Sequence, residues 1–239
     1  MESYNYSKFK VDYYDMTKFN GPLAGEKAPD FQALLLNGSE TNLYKYLSKP
    51  VILELGSVTC PLFCQYLNRM NELAKKYTEF NFLVLYVREA HPGEKLTNHN
   101  SIVKKIDAAK KLIELENEKR IILIDDIAGT AHKKYGSMPN SCFVINTAGM
   151  VQYTSDTTNH DLLEQFILDY SFEKKENKMN FDRFQEDRSG IFQAIKVMFR
   201  GGFAAIFDFI KQLPQLFKMH KKLNAIFQEQ QNVKAKENN

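Results

Sequence analysis

The stretch that decides the fold is VILELGSVTCP, residues 51–61. Residues 51–55 are almost continuously apolar, which predicts a strand buried on both faces of a sheet. Gly56 ends this strand, and Pro61 has the character of a first helical residue, a position where proline is favoured. Cys60 is therefore predicted to lie between the end of a strand and the start of a helix.

This predicted position of Cys60 suits a reactive thiol. The dipole and the unpaired amides of a helix start favour a thiolate over a thiol. A thiolate can attack a disulfide sulfur, a peroxide oxygen or a halogen on an electron-rich ring. The hydroxyls of Ser57 and Thr59 can donate hydrogen bonds to it. The alternative is a small buried apolar residue, as free cysteine usually is, but position and neighbours together favour the nucleophile.

Strands and helices alternate along the chain. This order predicts a central sheet that is parallel in its βαβ part and covered by helices on both faces. It is the plan of a thioredoxin-like fold of the peroxiredoxin type, a three-layer α/β/α sandwich. The predicted elements are a hairpin (31–43), strands (51–55, 81–87, 121–124), helices (62–77, 102–115, 128–135), a second hairpin (142–153) and a final helix that begins after Asn159.

Three polar residues follow the ends of predicted parallel strands, where α/β proteins place their chemistry. They are Cys60, His91 and Asp125, so we expect a thiol, an imidazole and a carboxylate at one edge. His91 can supply a proton to a leaving group because the ordinary pKa of histidine lies near neutrality. Glu89 is a candidate to set the tautomer of His91. The alternative for His91 is a surface histidine in a loop.

The sequence predicts different roles for the two other cysteines. Cys64 follows Cys60 by one helical turn, on the same face but too far for a disulfide unless the turn unwinds. It either resolves an oxidised Cys60 or packs as a small residue, and the spacing does not decide. Cys142 lies on a predicted core strand and is interpreted as structural. Three cysteines do not make a secreted disulfide framework, and no N-terminal signal peptide is evident, so we expect a cytoplasmic protein. No His and Cys pair has metal-ligand spacing.

Charge and hydropathy divide the chain into an N-terminal arm (1–20), an α/β domain (21–172) and a helical tail (173–239). Residues 1–170 carry 19 basic and 21 acidic residues, and residues 171–239 carry 13 and 8. This balance argues against a nucleic-acid partner. Apolar residues recur in the tail at helical spacing, beside scattered lysines. The pattern fits packing on the domain, which we favour, a homodimer, or peripheral contact with a membrane.

Two segments resemble the active-site region of the iodothyronine deiodinases. Residues 56–63, GSVTCPLF, match the segment that carries selenocysteine in that family, here Cys60. Residues 83–92, LVLYVREAHP, match a second and more specific segment. The resemblance covers about residues 21–170 and leaves out the tail.

The resemblance implies a reductive dehalogenation of an aromatic substrate. In it, Cys60 attacks the halogen, and Ser57, Glu89 and His91 form a hydrogen-bonded proton relay. His99 falls where the family has a histidine near the substrate phenol. No cofactor is bound, and an external thiol such as glutathione or thioredoxin regenerates the enzyme.

Three departures from the family keep alternatives open. Cysteine is a poorer nucleophile toward iodine than selenocysteine, and Ser141 replaces an arginine that faces the substrate in the family. Val58 stands where some members have a further cysteine used in regeneration, a role for which Cys64 is the candidate substitute. One alternative is a peroxiredoxin-like thiol peroxidase, in which Cys64 captures an oxidised Cys60. The other is a weakly catalytic interaction module whose tail binds a membrane or a partner.

Overall fold

The computed structural model describes residues 4–14, 16, 18–173 and 190–237. Its strands are β1 (Gln32–Leu34), β2 (Glu40–Asn42), β3 (Val51–Gly56), β4 (Asn81–Tyr86), β5 (Ile121–Ile124), β6 (Cys142–Ile145) and β7 (Val151–Ser155). Its α-helices are α1 (Pro61–Gln65), α2 (Leu67–Lys76), α3 (Ile102–Glu116), α4 (Thr130–Lys134), α5 (His160–Glu173), α6 (Ile191–Gly201) and α7 (Phe203–Glu237). Short 3₁₀ turns occupy Val11–Tyr13 and Leu43–Tyr46.

One sheet joins the seven strands of the described residues, in the order β2-β1-β5-β4-β3-β6-β7. Strands β3, β4 and β5 run parallel, whereas the β1–β2 and β6–β7 hairpins are antiparallel. The first hairpin turns at Asn37-Gly38, where Gly38 has a φ of 83° that favours glycine. This is the mixed sheet that the order of elements predicts, and the fold is thioredoxin-like.

Alternate residues along the central strands face two different layers, as the period of a strand requires. Even-numbered residues such as Ile52 and Val84 pack against α1, α2, α3 and α5. Odd-numbered residues such as Leu53 and Leu85 pack against α4 and the segments around β1. The sheet is therefore the middle layer of a three-layer sandwich, which confirms the predicted architecture.

A buried ion cluster explains the one acidic residue within the apolar run of β3. Glu54 is 1 % exposed, and its carboxylate accepts a 2.6 Å hydrogen bond from Arg120. Arg120 also donates to Glu118. A buried charge is tolerated when it is paired and hydrogen-bonded in this way.

The helix after Cys60 differs from the prediction, because it breaks at Tyr66 into α1 and α2. The apolar periodicity of residues 62–77 continues through the break and does not reveal it. The two pieces have different partners, since α1 contacts α6 and α2 contacts α5. The ring of Tyr66 itself packs on His160 of α5, with the ring centroids 4.3 Å apart.

The arm and the tail both pack on the α/β domain. In the arm, Tyr6, Phe9, Val11 and Tyr14 form one apolar cluster with side chains of α7. The end of α6 lies so close to the loop after β4 that a Cβ on Gly201 would be 2.6 Å from the carbonyl oxygen of His91. None of the helices in the described part of the chain has the length and apolar content that a bilayer span requires.

Candidate active site

The two segments that resemble the deiodinase site leave the sheet side by side. Strands β3 and β4 are parallel neighbours, and Gly56 pairs with Tyr86 at their carboxyl ends. A Cβ on Gly56 would lie 2.2 Å from the Phe63 ring, so glycine is needed for α1 to fold back on the strand. The register therefore brings Cys60 and His91 to one edge.

Cys60 caps the start of α1 and is 2 % exposed. Burial raises the pKa of its thiol to about 12, although the amides of Phe63 and Leu62 act to lower it. The negative charges of Glu54 and Glu89 raise the pKa of Cys60 further. The amides therefore act in the predicted direction, but the expectation of a stabilised thiolate is wrong for this closed structure, because desolvation of the sulfur outweighs them.

Glu89 is the centre of a buried polar cluster behind Cys60. One carboxylate oxygen accepts hydrogen bonds from the amide and the hydroxyl of Thr59, at 3.2 and 2.5 Å. The other accepts from the hydroxyl of Tyr86 and lies 3.1 Å from Nε2 of His99. Burial alone would raise the pKa of Glu89, but His99, Thr59 and Tyr86 outweigh it and lower the pKa. Glu89 is thus a buried carboxylate that stays ionised.

His91 lies beyond this cluster, and both His91 and Cys60 line the wall of one cavity. Its backbone amide donates to the Thr59 hydroxyl at 3.2 Å. Its ring packs between Phe9 and Phe209, with centroid distances of 4.3 and 5.6 Å. Burial lowers the pKa of His91 to about 4, and the Glu89 charge opposes this only in part. The expected pKa near neutrality is therefore wrong, and the imidazole is neutral at pH 7.

The Cys60 thiol borders a cavity of about 340 Å³. The inner wall comes from the domain, with Cys60, Pro61, His91 and Pro139. The outer wall comes from the arm and α7 and is largely apolar; it includes Phe9, Val11, Tyr14, Met16, Phe209, Leu213, Leu216, Phe217, Met219 and His220. His91 belongs to the inner wall, and its buried Nδ1 has no hydrogen-bond partner within the described residues.

Cys64 is buried one turn further along α1, against a side chain from the tail. Nη1 of Arg200, on α6, donates to the Cys64 sulfur at 3.3 Å and to the carbonyl of Val58 at 3.0 Å. Arg200 is also paired with Glu116. Burial raises the pKa of Cys64, and the charge of Arg200 acts to lower it. The tail therefore supplies a cation to the second cysteine.

Among the predicted residues, Cys60 and His91 line the cavity and the others lie behind its wall. Three of those others make contacts that differ from the expected ones. Ser57 Oγ accepts from the amide of Ala90 at 3.2 Å and is not bonded to Glu89 or His91. His99 sits behind Glu89, where it holds the carboxylate instead of facing a ligand. Asp125 accepts hydrogen bonds from the amides at the start of α4, each at 3.0 Å, so its role is in capping.

Sequence reasoning missed the outer wall of the site. Phe9 and Tyr14 come from the arm, and Phe209 comes from the tail. The contact of Arg200, also from the tail, with Cys64 behind the cavity was missed as well. Their apolar spacing shows that they pack somewhere, but no local pattern identifies the cavity as the place. Within the described residues, no group of three or more His, Cys, Asp and Glu side chains is arranged to hold a metal ion.

Residues 2–163 match the sequence model of the iodothyronine deiodinase family. The match includes the arm, which the resemblance noted from sequence motifs left out. Type I iodothyronine deiodinase of Xenopus laevis is 28% identical over 141 residues, 53% of this chain and 54% of the relative. Thyroxine 5-deiodinase of Sus scrofa is 26% identical over 157 residues, 60% of this chain and 49% of the relative. The chain thus spans about half the length of the curated relatives it matches.

Solved structures share the fold at low sequence identity. A Chlorobium tepidum protein described as a thiol:disulfide interchange protein superposes with a TM-score of 0.51 at 21% identity, over 62% of this chain and 97% of its own. A conserved Geobacillus kaustophilus protein gives 0.54 at 12% identity, over 69% and 94%. Both likenesses concern the thioredoxin-like domain and say nothing of chemistry.

Proposed function

The chain belongs to the iodothyronine deiodinase family, and from this premise we propose that it is a thiol-dependent oxidoreductase that removes a halogen from an aromatic ring. The observation that carries the proposal is that the Cys60 thiol and the neutral imidazole of His91 line one mostly apolar cavity. The cavity volume of about 340 Å³ lies within the usual range for small-molecule sites, roughly 300–1,000 Å³.

The proposed first step transfers a halogen to sulfur. The Cys60 sulfur bonds to the halogen as the carbon–halogen bond breaks, and the ring carbon takes up the proton that the thiol gives up. The products are the dehalogenated ring and a sulfenyl halide at Cys60. Two electrons pass from the sulfur to the ring, so the cysteine is oxidised and the substrate is reduced.

His91 moves the proton in this step. A neutral imidazole can accept the thiol proton, which a protonated one cannot. The imidazolium that forms then faces the Glu89 carboxylate, whose charge raises the pKa of His91. Thr59 links the two residues, since its hydroxyl donates to Glu89 and accepts from the His91 amide. We assign Ser57 the more distant task of holding the Ala90 amide.

Cys64 closes the cycle. Its thiolate displaces the halide from Cys60 and leaves a Cys60–Cys64 disulfide and a halide ion. Arg200 stabilises the attacking thiolate through its contact with the Cys64 sulfur. An external dithiol, or two molecules of a monothiol such as glutathione, then reduces the disulfide. Since α1 is a single turn that ends at Tyr66, the unwinding that this disulfide needs is short.

Iodide release from thyroxine in the presence of dithiothreitol tests the proposal. Thyroxine is the first substrate to try because relatives carry the name thyroxine 5-deiodinase. We expect release from the natural chain and none from Cys60→Ser. Cys142→Ser is the matched control, because Cys142 is also a buried free thiol but lies on β6. Release that persists in Cys60→Ser contradicts the proposal.

One observation favours a second candidate, a weakly catalytic interaction module. Burial raises the pKa of Cys60 to about 12, whereas an efficient thiol nucleophile has a lowered pKa. This candidate predicts no iodide release and no consumption of peroxide. Peroxide consumption that depends on Cys60 would instead support a thiol peroxidase.

A further inference from the structure

Helix α7 has two apolar faces, and only one of them is covered. On the inner face, Phe209 and Leu216 pack over the cavity and the arm, and Ala205 and Leu223 are buried on the same side. The outer face repeats Phe203, Phe207, Ile210 and Phe217 at helical spacing, and these side chains are 69%, 59%, 54% and 68% exposed. A helix that packs on a domain needs one apolar face. Phe217 also borders the cavity, but the packing of α7 on the domain does not explain the exposed Phe203, Phe207 and Ile210.

The exposed face continues across the break between the two tail helices. Phe192 and Phe199 on α6 are exposed, and the ring of Phe199 packs edge-to-face on Phe203, with centroids 5.7 Å apart. We call this surface the aromatic strip. Its members are Phe192, Phe199, Phe203, Phe207, Ile210 and Phe217. Exposed aromatic side chains in a continuous patch mark an interaction surface.

Basic residues line this strip. On α7, Lys211, Lys218 and Lys222 are exposed along one side of the strip. Lys221, also exposed, lies at the end of the strip on the same face of the helix. The Lys211 ammonium lies 4.3 Å from the Phe207 ring centroid. Between residues 190 and 228 the chain has six Lys and Arg residues and one acidic residue, Asp208. The strip is therefore apolar in the middle and positive along its side.

We infer that the aromatic strip docks α6 and α7 on an anionic lipid surface. Rings that enter the boundary between headgroups and acyl chains lose their contact with water, and the lysines remain near the anionic headgroups. A second copy of the chain is disfavoured as the occupant, because a symmetric strip-on-strip dimer would bring lysines of the same sign together. The helices lie along the surface and do not cross the bilayer.

Flotation of the full chain with vesicles tests the inference. We expect binding to an equal mixture of phosphatidylcholine and phosphatidylserine, weak binding to phosphatidylcholine alone, and loss of binding at high salt. The double variant Phe207→Ser/Phe217→Ser should lose binding. Val103→Ser/Leu115→Ser is the matched control, since it removes two exposed apolar side chains from α3, and it should bind as the natural chain does.

A second pair of variants tests the role of charge. Lys211→Glu/Lys218→Glu should weaken partitioning into the mixed vesicles at least about twentyfold, since each lysine near the surface contributes roughly fivefold. Lys75→Glu/Lys104→Glu, with the same charge change on the domain, should have little effect. Absent binding, or equal binding by the Phe207→Ser/Phe217→Ser variant, overturns the inference. The inference is also overturned if the natural chain forms a dimer that the Phe207→Ser/Phe217→Ser substitutions separate into monomers and that added vesicles leave intact.

Discussion

Hydrogen bonds of Thr59 and Glu89 support the inner wall of the cavity from behind, whereas apolar contacts hold Phe9 and Phe209 on its outer wall. The inner wall is built from two loops whose start is fixed by the pairing of β3 with β4. The outer wall is built from the arm and α7, joined mainly by packed side chains. Separate parts of the chain therefore set the positions of the reacting groups and their exposure to water.

The largest effect is expected where the inner wall is broken. Glu89→Ala removes the acceptor for Thr59 and Tyr86 and the partner of His99. Loss of one partner from a buried charged cluster costs about 3–5 kcal/mol of unfolding free energy. Urea unfolding of the two proteins measures the loss.

Glu114→Ala is the matched control, because Glu114 is exposed on α3. We expect it to change the unfolding free energy by less than about 0.5 kcal/mol. If Glu89→Ala costs no more than the control, the inner wall is not held by its carboxylate, and the comparison of the two walls fails.

A substitution that opens the outer wall should change the reactivity of the Cys60 thiol more than it changes the positions of the loops that carry Cys60 and His91. Phe9→Ala removes the ring that packs on His91 and exposes the cavity to water. Because burial is the largest cause of the raised pKa of Cys60, hydration should lower that pKa. We expect alkylation of Cys60 by iodoacetamide at mildly alkaline pH to be faster by between about tenfold and a hundredfold.

Peptide mass spectrometry assigns this alkylation to Cys60. Phe192→Ala is the control, since that ring is 86% exposed on α6, and it should leave the rate unchanged. An unchanged rate in Phe9→Ala would mean that the arm does not govern access to the thiol.

The inner wall could be predicted from the sequence because its signals are local. A strand followed by Cys60, and a strand followed by Glu89 and His91, are each readable within about ten residues, and the parallel pairing brings them together. The prediction was wrong where one sequence position is compatible with two roles. Asp125 follows a strand as catalytic carboxylates do, but it caps α4.

The outer wall could not be predicted because its contacts join distant parts of the chain. Helical spacing shows that Phe209 needs a partner, but it does not identify Phe9, two hundred residues earlier. The wrong expectations for the pKa values of Cys60 and His91 have the same origin. Both follow from burial by the arm and the tail, which no local pattern reports.

Arg200 joins the tail to the second cysteine, behind the cavity. Arg200→Met removes the hydrogen bond to the Cys64 sulfur and the charge that acts to lower the pKa of Cys64. We expect diamide-driven formation of the Cys60–Cys64 disulfide to slow about tenfold, the value of one hydrogen bond from a charged donor. The rate is measured in a Cys142→Ser background, by the mass added on alkylation.

Arg200→Lys should restore part of the rate, since lysine keeps the charge but not the planar fork. Lys196→Met, an exposed change on the same helix, should have no effect. Equal rates for Arg200→Met and Lys196→Met would show that the tail covers the site without acting on its chemistry.

The smallest expected effect is a difference in pH dependence that reports on the outer wall. Burial lowers the pKa of His91 to about 4 in the folded protein, against about 6.5 in an unfolded chain. Between these values the unfolded chain binds a proton that the folded protein does not, so stability falls as pH falls through this window. His91→Gln cannot titrate. Between about pH 7.5 and 5.5 the natural chain should therefore lose about 1 kcal/mol more than His91→Gln.

Urea unfolding at the two pH values measures this difference. Burial also lowers the pKa values of His132 and His160, each to about 3, but both residues are present in the two proteins and their contributions cancel. Equal pH dependence in the two proteins would mean that His91 has the same pKa in the folded protein as in the unfolded chain, and is therefore hydrated in the folded state. The outer wall would then open readily on its own, and the cavity would be closed by packing too weak to control the proton relay.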